Sequence, residues 1–287
     1  MGDETPGAMM ADTGMQPSRP LALITGASSG IGATFARHLA ARGCDLLLVA
    51  RRKDRLEETA RAIESRHAVR CEILPADLTC DAGLKTVEER IAAAPNLEFL
   101  VNNAGFGVTG LFFAVPLEDQ DRMHRLHVLA PLRLTHAALA GMVARGRGSI
   151  VNVSSVSGFG QNPGSVSYSA TKTWMNSFTE GIYMELKSAG SPVRVQALCP
   201  GFTLSEFHDT MRFDRKQVPA WMWMPADDVV ETSLRALDRG QLFVVPGWGY
   251  RLLAGIARSL PRGLYHRMAI KYASATGRDR LAADSAK

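Results

Sequence analysis

The chain has 287 residues, 46% of them hydrophobic, and its 33 Lys and Arg against 28 Asp and Glu give a formal net charge of +5. That length and apolar content suit one large α/β domain, with no internal repeat and no stretch that reads as a linker. The four cysteines, Cys44, Cys71, Cys80 and Cys199, form no CxxC pair, and no histidine completes a metal-ligand pattern with them, so we expect no metal, no disulfide framework and a reducing, cytoplasmic setting.

Residues 1–19 contain no apolar run, and Asp3 and Glu4 stand where a secretory leader is basic, so a disordered tail is expected. No uninterrupted apolar stretch reaches the ~18 residues of a transmembrane helix, and no segment is expected to span a bilayer. Beyond the tail, short apolar runs at 21–25, 45–50, 70–75, 99–101, 149–153, 193–198 and 242–245 alternate with helical patterns near 30–42, 53–66, 81–93, 117–145, 167–189 and 226–238. Continuous apolar strands between helices predict a parallel sheet covered on both faces. Right-handed crossovers make it doubly wound, with ligands at the carboxyl ends of the strands.

The first strand runs straight into Thr25-Gly26-Ala27-Ser28-Ser29-Gly30-Ile31-Gly32 and then a helix. Glycines there allow a tight turn, close approach of backbone to a pyrophosphate, and packing of helix on strand. The helix N-terminus offers N–H groups and a positive dipole end to phosphate. The second strand ends Val49-Ala50-Arg51-Arg52-Lys53, with three cations where an NAD-binding chain carries an acid for the ribose hydroxyl. A 2′-phosphate suits a guanidinium fork, so NADP(H) is the expected cofactor, with Arg51 the first candidate partner and Arg52 the second. Asp77-Leu78 closes the third strand, where the carboxylate is placed either to accept from an adenine amino group or to cap the next helix. Asn102-Asn103-Ala104-Gly105 follows the fourth, small enough for close approach of a cofactor or simply a turn.

The strand at 149–153 leads into Ser154 and Ser155, and Tyr168-Ser169-Ala170-Thr171-Lys172 opens the helix that follows. Tyr168 and Lys172, at i and i+4, share one helix face. An ammonium beside a phenol favours the phenolate and is expected to draw the tyrosine pKa down from ~10, as a proton donor to a carbonyl requires. One of the two serines is then placed to hold the substrate oxygen.

Taken together, TGASSGIG at 25–32, NNAG at 102–105, the strand-end serine, YSATK at 168–172 and CPG at 199–201 resemble, in order and spacing, the classical short-chain dehydrogenases/reductases over residues 20–246. The resemblance implies a single-domain Rossmann fold and hydride transfer between nicotinamide and a carbonyl or alcohol. It implies Tyr168 as general acid/base, Lys172 as its modulator and a ribose ligand, and Ser155 rather than Ser154 as the substrate-orienting serine. It further implies that Gly26, Ser28, Ser29, Gly30, Ile31 and Gly32 line the cofactor. Asn103, Ala104 and Gly105 would then lie beside its ribose, and Pro200, Gly201 and Thr203 beside the nicotinamide. Relatives pair through their long helices, so a homodimer or homotetramer is expected. One position departs: the family's middle-helix Asn, which supports a proton-feeding water, is His127 here. An imidazole either continues that relay, breaks it, or is a histidine satisfied by its neighbours.

After Pro200-Gly201 comes a stretch with Phe202, Phe207, Met211, Phe213, Trp221, Met222, Trp223 and Met224, which suits either a bulky lipophilic ligand or the chain's own core. Residues 247–287 carry eight Lys and Arg against two acids. Leu252, Leu253, Ile256 and Leu260, and then Leu264, Tyr265, Met268 and Tyr272, fall at helical spacing, so this end is expected to be a basic amphipathic extension. Such helices lie on anionic lipid at the inner membrane face, cover the substrate cleft, or meet another subunit. No nucleic-acid-binding motif is visible, and no nucleic-acid partner is expected. The PGFT and VVPGW segments and the basic tail add a likeness to bacterial reductases of long-chain or polycyclic ketones, such as 3-oxoacyl lipids or steroids. The resulting expectation is an NADP(H)-dependent reductase of a lipophilic ketone. The alternatives are a cofactor-binding protein without chemistry, to which His127 points, and a membrane-surface scaffold using the basic tail.

Overall fold

Alternate residues of each strand enter opposite cores. Ala22, Ile24, Leu46, Leu48, Val101 and Val151 enter one, and Leu21, Leu23, Leu47, Val49, Leu100 and Ile150 the other. A strand apolar on both faces is stable only between two helical layers, and the computed structural model, which describes residues 19–207 and 218–275, has that arrangement. The strands are β1 (Leu21–Thr25), β2 (Asp45–Ala50), β3 (Cys71–Pro75), β4 (Leu97–Asn102), β5 (Ser149–Val153), β6 (Arg194–Leu198) and β7 (Phe243–Val244). They form one parallel sheet in the order β3-β2-β1-β4-β5-β6-β7. Helices α1 (Gly30–Ala41), α2 (Lys53–Glu64) and α7 (Ala226–Asp238) cover the first core; α3 (Asp81–Ala92), α5 (Ala130–Arg145) and α6 (Val166–Ser188) cover the second. The predicted doubly wound parallel sheet with helices on both faces is therefore the observed one. The tail reading of residues 1–18, and Met211, Phe213, Arg278, Arg280 and Lys287, lie outside the described residues.

The chain order reverses between β1 and β4, and the loops leaving those strands diverge there to open a crevice. Hydrogen bonds stitch its floor. Thr25 Oγ1 accepts from the Asn103 N–H at 2.9 Å and the Ala104 N–H at 3.0 Å. Asn103 Nδ2 donates to the Thr25 carbonyl at 2.9 Å. A Cβ on Gly32 would lie 2.3 Å from the Gly26 carbonyl oxygen, so glycine at 32 is what lets α1 start so close beneath the turn.

The single helix expected over 117–145 is divided. Helix α4 (Leu117–His124) passes through a π-type turn at Arg125–Leu129 before α5 begins. Pro131 has no N–H to return to the His127 carbonyl, so the regular ladder fails there and the turn widens. By length and composition alone, Leu117–Arg145 is long and apolar enough to cross a membrane. Here it buries Leu134, Ala138 and Met142 in the second core instead.

The C-terminal helices α8 (Trp248–Ser259) and α9 (Arg262–Ala275) pack on the carboxyl edge of the sheet. The Arg258 guanidinium lies over the rings of Phe159 and Phe243, at 5.7 and 5.9 Å.

Candidate active site

Along the carboxyl edge runs a cavity of about 980 Å³, at the upper end of the ~300–1,000 Å³ usual for ligand pockets. Its lining includes Gly26, Ser28, Ser29, Gly30, Ile31, Arg51, Arg52, Asp77, Leu78, Asn103, Ala104, Gly105, Ser155, Tyr168, Lys172, Pro200, Gly201 and Thr203. Of the catalytic and cofactor-binding candidates named from the sequence, Gly32 and His127 are outside that lining.

At one end sits the glycine turn. Ser29 caps α1 without a side-chain hydrogen bond, and the first N–H groups of the helix open beside the turn. Arg52 reaches back, its Nη2 3.2 Å from Ser28 Oγ and 3.5 Å from Ser29 Oγ. Asp77 Oδ1 accepts from the N–H and hydroxyl of Thr79, while the N-cap of α3 is Cys80, so Asp77 shapes its loop rather than capping the helix. Burial pushes the Asp77 carboxyl up, but the Thr79 hydrogen bonds and the charges of Arg51 and Arg122 outweigh this and hold it below its ordinary value.

At the other end are the two serines, Tyr168 and Lys172. Both serines line the cavity; the Ser154 hydroxyl is committed to the Lys172 carbonyl at 3.1 Å, and the Ser155 hydroxyl is the one beside Tyr168. Ser155 accepts from the Ser157 N–H at 3.1 Å and is close enough to Tyr168 to draw its pKa downward. Lys172 is buried; its Nζ donates to the Val153 carbonyl at 2.8 Å and lies 5.7 Å from the centre of the Tyr168 ring.

The expected acidification of the phenol is not what this geometry produces. Burial pushes Tyr168 up to about 12, against a smaller downward pull from Ser155. The ammonium is turned to a backbone carbonyl and pays for its own burial, which draws Lys172 down to about 8 against a smaller upward pull from Cys199. Sharing a helix face did not determine where the ammonium points.

Behind the tyrosine, His127 is buried and fully engaged. Its Nε2 accepts from the Phe106 N–H at 3.2 Å, and its Nδ1 lies 3.1 Å from Thr171 Oγ1, which donates to the Tyr168 carbonyl at 2.9 Å. These bonds select the neutral tautomer with the proton on Nδ1. Burial first, then the Lys172 charge, hold the ring's pKa well below its ordinary value. The histidine thus ties the 103–106 loop to the start of α6. A Cβ on Gly105 would sit 2.8 Å from Nε2, so glycine there keeps the tie open.

Three contributors escaped the sequence reading. Tyr250 on α8 donates to the Met222 carbonyl at 2.6 Å and accepts from the Phe202 N–H at 3.1 Å, clamping the loop after β6. Arg55 and Glu206 meet across the glycine turn. Nothing local marks any of them, because their partners lie far along the chain. The aromatic loop does enter the site, with the Phe207 ring 6.1 Å from that of Tyr168.

Comparison with known proteins gives a consistent set. The family model described as short chain dehydrogenase matches residues 20–216. A solved structure described as a short-chain dehydrogenase from Sphingobium yanoikuyae in complex with NADPH is 36% identical, with a TM-score of 0.76, covering 85% of this chain and 97% of that one. A bulky-bulky ketone specific alcohol dehydrogenase from Comamonas testosteroni is 33% identical, with a TM-score of 0.72, covering 86% and 96%. A very-long-chain 3-oxoacyl-CoA reductase from Bos taurus is 28% identical over 87% of this chain and 78% of its own length.

The His127 tie yields a prediction. His127→Asn, which keeps an acceptor and a donor, retains activity. His127→Leu strands the half-buried Phe106 N–H and costs about 1 kcal/mol, read as a lower midpoint in urea unfolding. A leucine variant as stable as the parent would contradict the tie.

Proposed function

The chain belongs to the short-chain dehydrogenase family, and from that premise we propose that it is an NADP(H)-dependent oxidoreductase interconverting a lipophilic ketone and its secondary alcohol. The observation that carries this is the meeting of Ser155, Tyr168 and Lys172 in the same cavity as the glycine turn. The residues fit a dinucleotide. Uncapped helix amides and glycine backbone suit the pyrophosphate, and a guanidinium beside two serine hydroxyls suits a 2′-phosphate. Arg52 has the more direct geometry for that phosphate, with Arg51 close to Asp77. Asn103, Ala104 and Gly105 flank the ribose in this reading, and Pro200, Gly201 and Thr203 back the nicotinamide. The bound nicotinamide supplies or takes the hydride.

The protein's own part is proton handling. Ser155 and Tyr168 present two hydroxyls to one substrate oxygen, and Tyr168 gives its proton as the alcohol forms. A phenol titrating near 12 is protonated throughout the neutral range and is a donor at rest. The ammonium of Lys172 then lowers the cost of the charge left on the phenol. Phe106, Phe202, Phe207, Met222 and Leu253 around the remaining space support a lipophilic substrate. The ketone and acyl substrates named for the relatives support the same class.

With NADPH present, a panel running from short to bulky aryl or steroidal ketones should show consumption of reduced cofactor that favours the bulky members. Reduction should fall as pH rises through about 8, where Lys172 loses its proton and with it the charge that offsets the phenolate. Tight NADPH binding with no turnover on any ketone would favour a binding protein instead.

A second reading concerns where the enzyme works. Residues 248–275 carry Arg251, Arg258, Arg262, Arg267 and Lys271 and no acid. Helix α8 buries Tyr250 and Ala254 and exposes Trp248, Leu252 and Ile256; α9 buries Ala269 and exposes Leu264 and Met268. Leu253, Tyr265 and Tyr272 of the same helices line the cavity. We infer that this face lies on anionic lipid, from which an apolar substrate reaches the cleft. The protein should co-sediment with vesicles of phosphatidylcholine and phosphatidylglycerol more than with phosphatidylcholine alone. The double change Leu252→Asp and Ile256→Asp should abolish this. Absence of vesicle binding, with self-association that the double variant removes, would assign the face to a second copy.

A further inference from the structure

After β6 the chain passes Gly201 and folds back over the glycine turn: a Cβ on Gly30 would come within 2.9 Å of Ser205 Cβ. The next residue, Glu206, sets one carboxylate oxygen 2.9 Å from Arg52 Nη2 and the other 2.6 Å from Arg55 Nη2. The same Arg52 nitrogen faces the hydroxyls of Ser28 and Ser29. Two guanidinium groups on one anion, with two serine hydroxyls beside the first, suit a phosphate monoester, and here a carboxylate from the chain itself takes its place.

We propose that Glu206 is an internal competitor for the site that takes the 2′-phosphate of NADP(H), and so a residue that sets cofactor preference. The proposal rests on the NADP(H) reading above and adds Arg55 to the phosphate's partners. The exchange is feasible on physical grounds. Arg52, Arg55 and Glu206 side chains are 49%, 42% and 40% exposed, and ion pairs at such surfaces are weak. A phosphate carries about twice the charge of a carboxylate and three acceptor oxygens. A ribose hydroxyl has neither, and leaves the Glu206 bridges in place. Phe207, beside Glu206 in the chain, carries its ring against Tyr168, so exchange at the phosphate end displaces an aromatic wall at the catalytic end.

The test is Glu206→Gln, titrated calorimetrically with adenosine 2′,5′-bisphosphate and with adenosine 5′-monophosphate, neither of which supports turnover. The variant should bind the bisphosphate about two- to tenfold more tightly and the monophosphate unchanged. If the parent prefers the bisphosphate but the variant binds it no better, the competitor role is wrong and the NADP(H) reading stands. If the parent binds the two nucleotides alike, the 2′-phosphate reading fails and takes this inference with it. Weaker binding of both by the variant would instead make Glu206 a ligand of the nucleotide, which also overturns the proposal.

Discussion

The rest of the molecule depends on one constraint: a sheet whose strands are apolar on both faces has to be covered on both. Each strand therefore hands over to a helix at the same edge, and every loop after a strand gathers there. Where the strand order turns at β1 and β4, those loops separate, and the Thr25–Asn103 bonds fix the distance between them. The glycine turn, the NNAG loop, the serine pair and the loop after β6 are close because of that edge, although over 170 residues of sequence separate the first from the last.

Burial then governs the chemistry. Enclosing Tyr168 disfavours its phenolate, and enclosing Lys172 disfavours its ammonium, so the two pKa values move apart, to about 12 and about 8. The phenol therefore keeps its proton through the neutral range, and the lysine is the group whose charge changes nearest to it. His127 is held neutral for the same reason, and its two ring nitrogens link the 103–106 loop to α6.

Features that arise from local chemistry were legible in the sequence. Strand and helix positions followed from periodicity, the turn from its glycines, and the Ser155, Tyr168 and Lys172 cluster from motif spacing. Features that arise from side-chain direction were not. The i, i+4 spacing put Lys172 and Tyr168 on one face without showing that the ammonium turns to Val153. Pro131 was visible, but its effect on the helix four residues earlier needs the three-dimensional ladder. Arg55 and Glu206 are 151 residues apart, and Tyr250 reaches a loop formed 48 residues before it. Such pairs carry no local signal.

The central claim is that Tyr168 delivers the proton. It is tested most directly by measuring NADPH oxidation by Tyr168→Phe with a bulky ketone, alongside the affinity of the variant for NADPH. The account predicts a loss of turnover of about 10²–10⁴-fold with cofactor affinity nearly unchanged. Turnover close to that of the parent would contradict it.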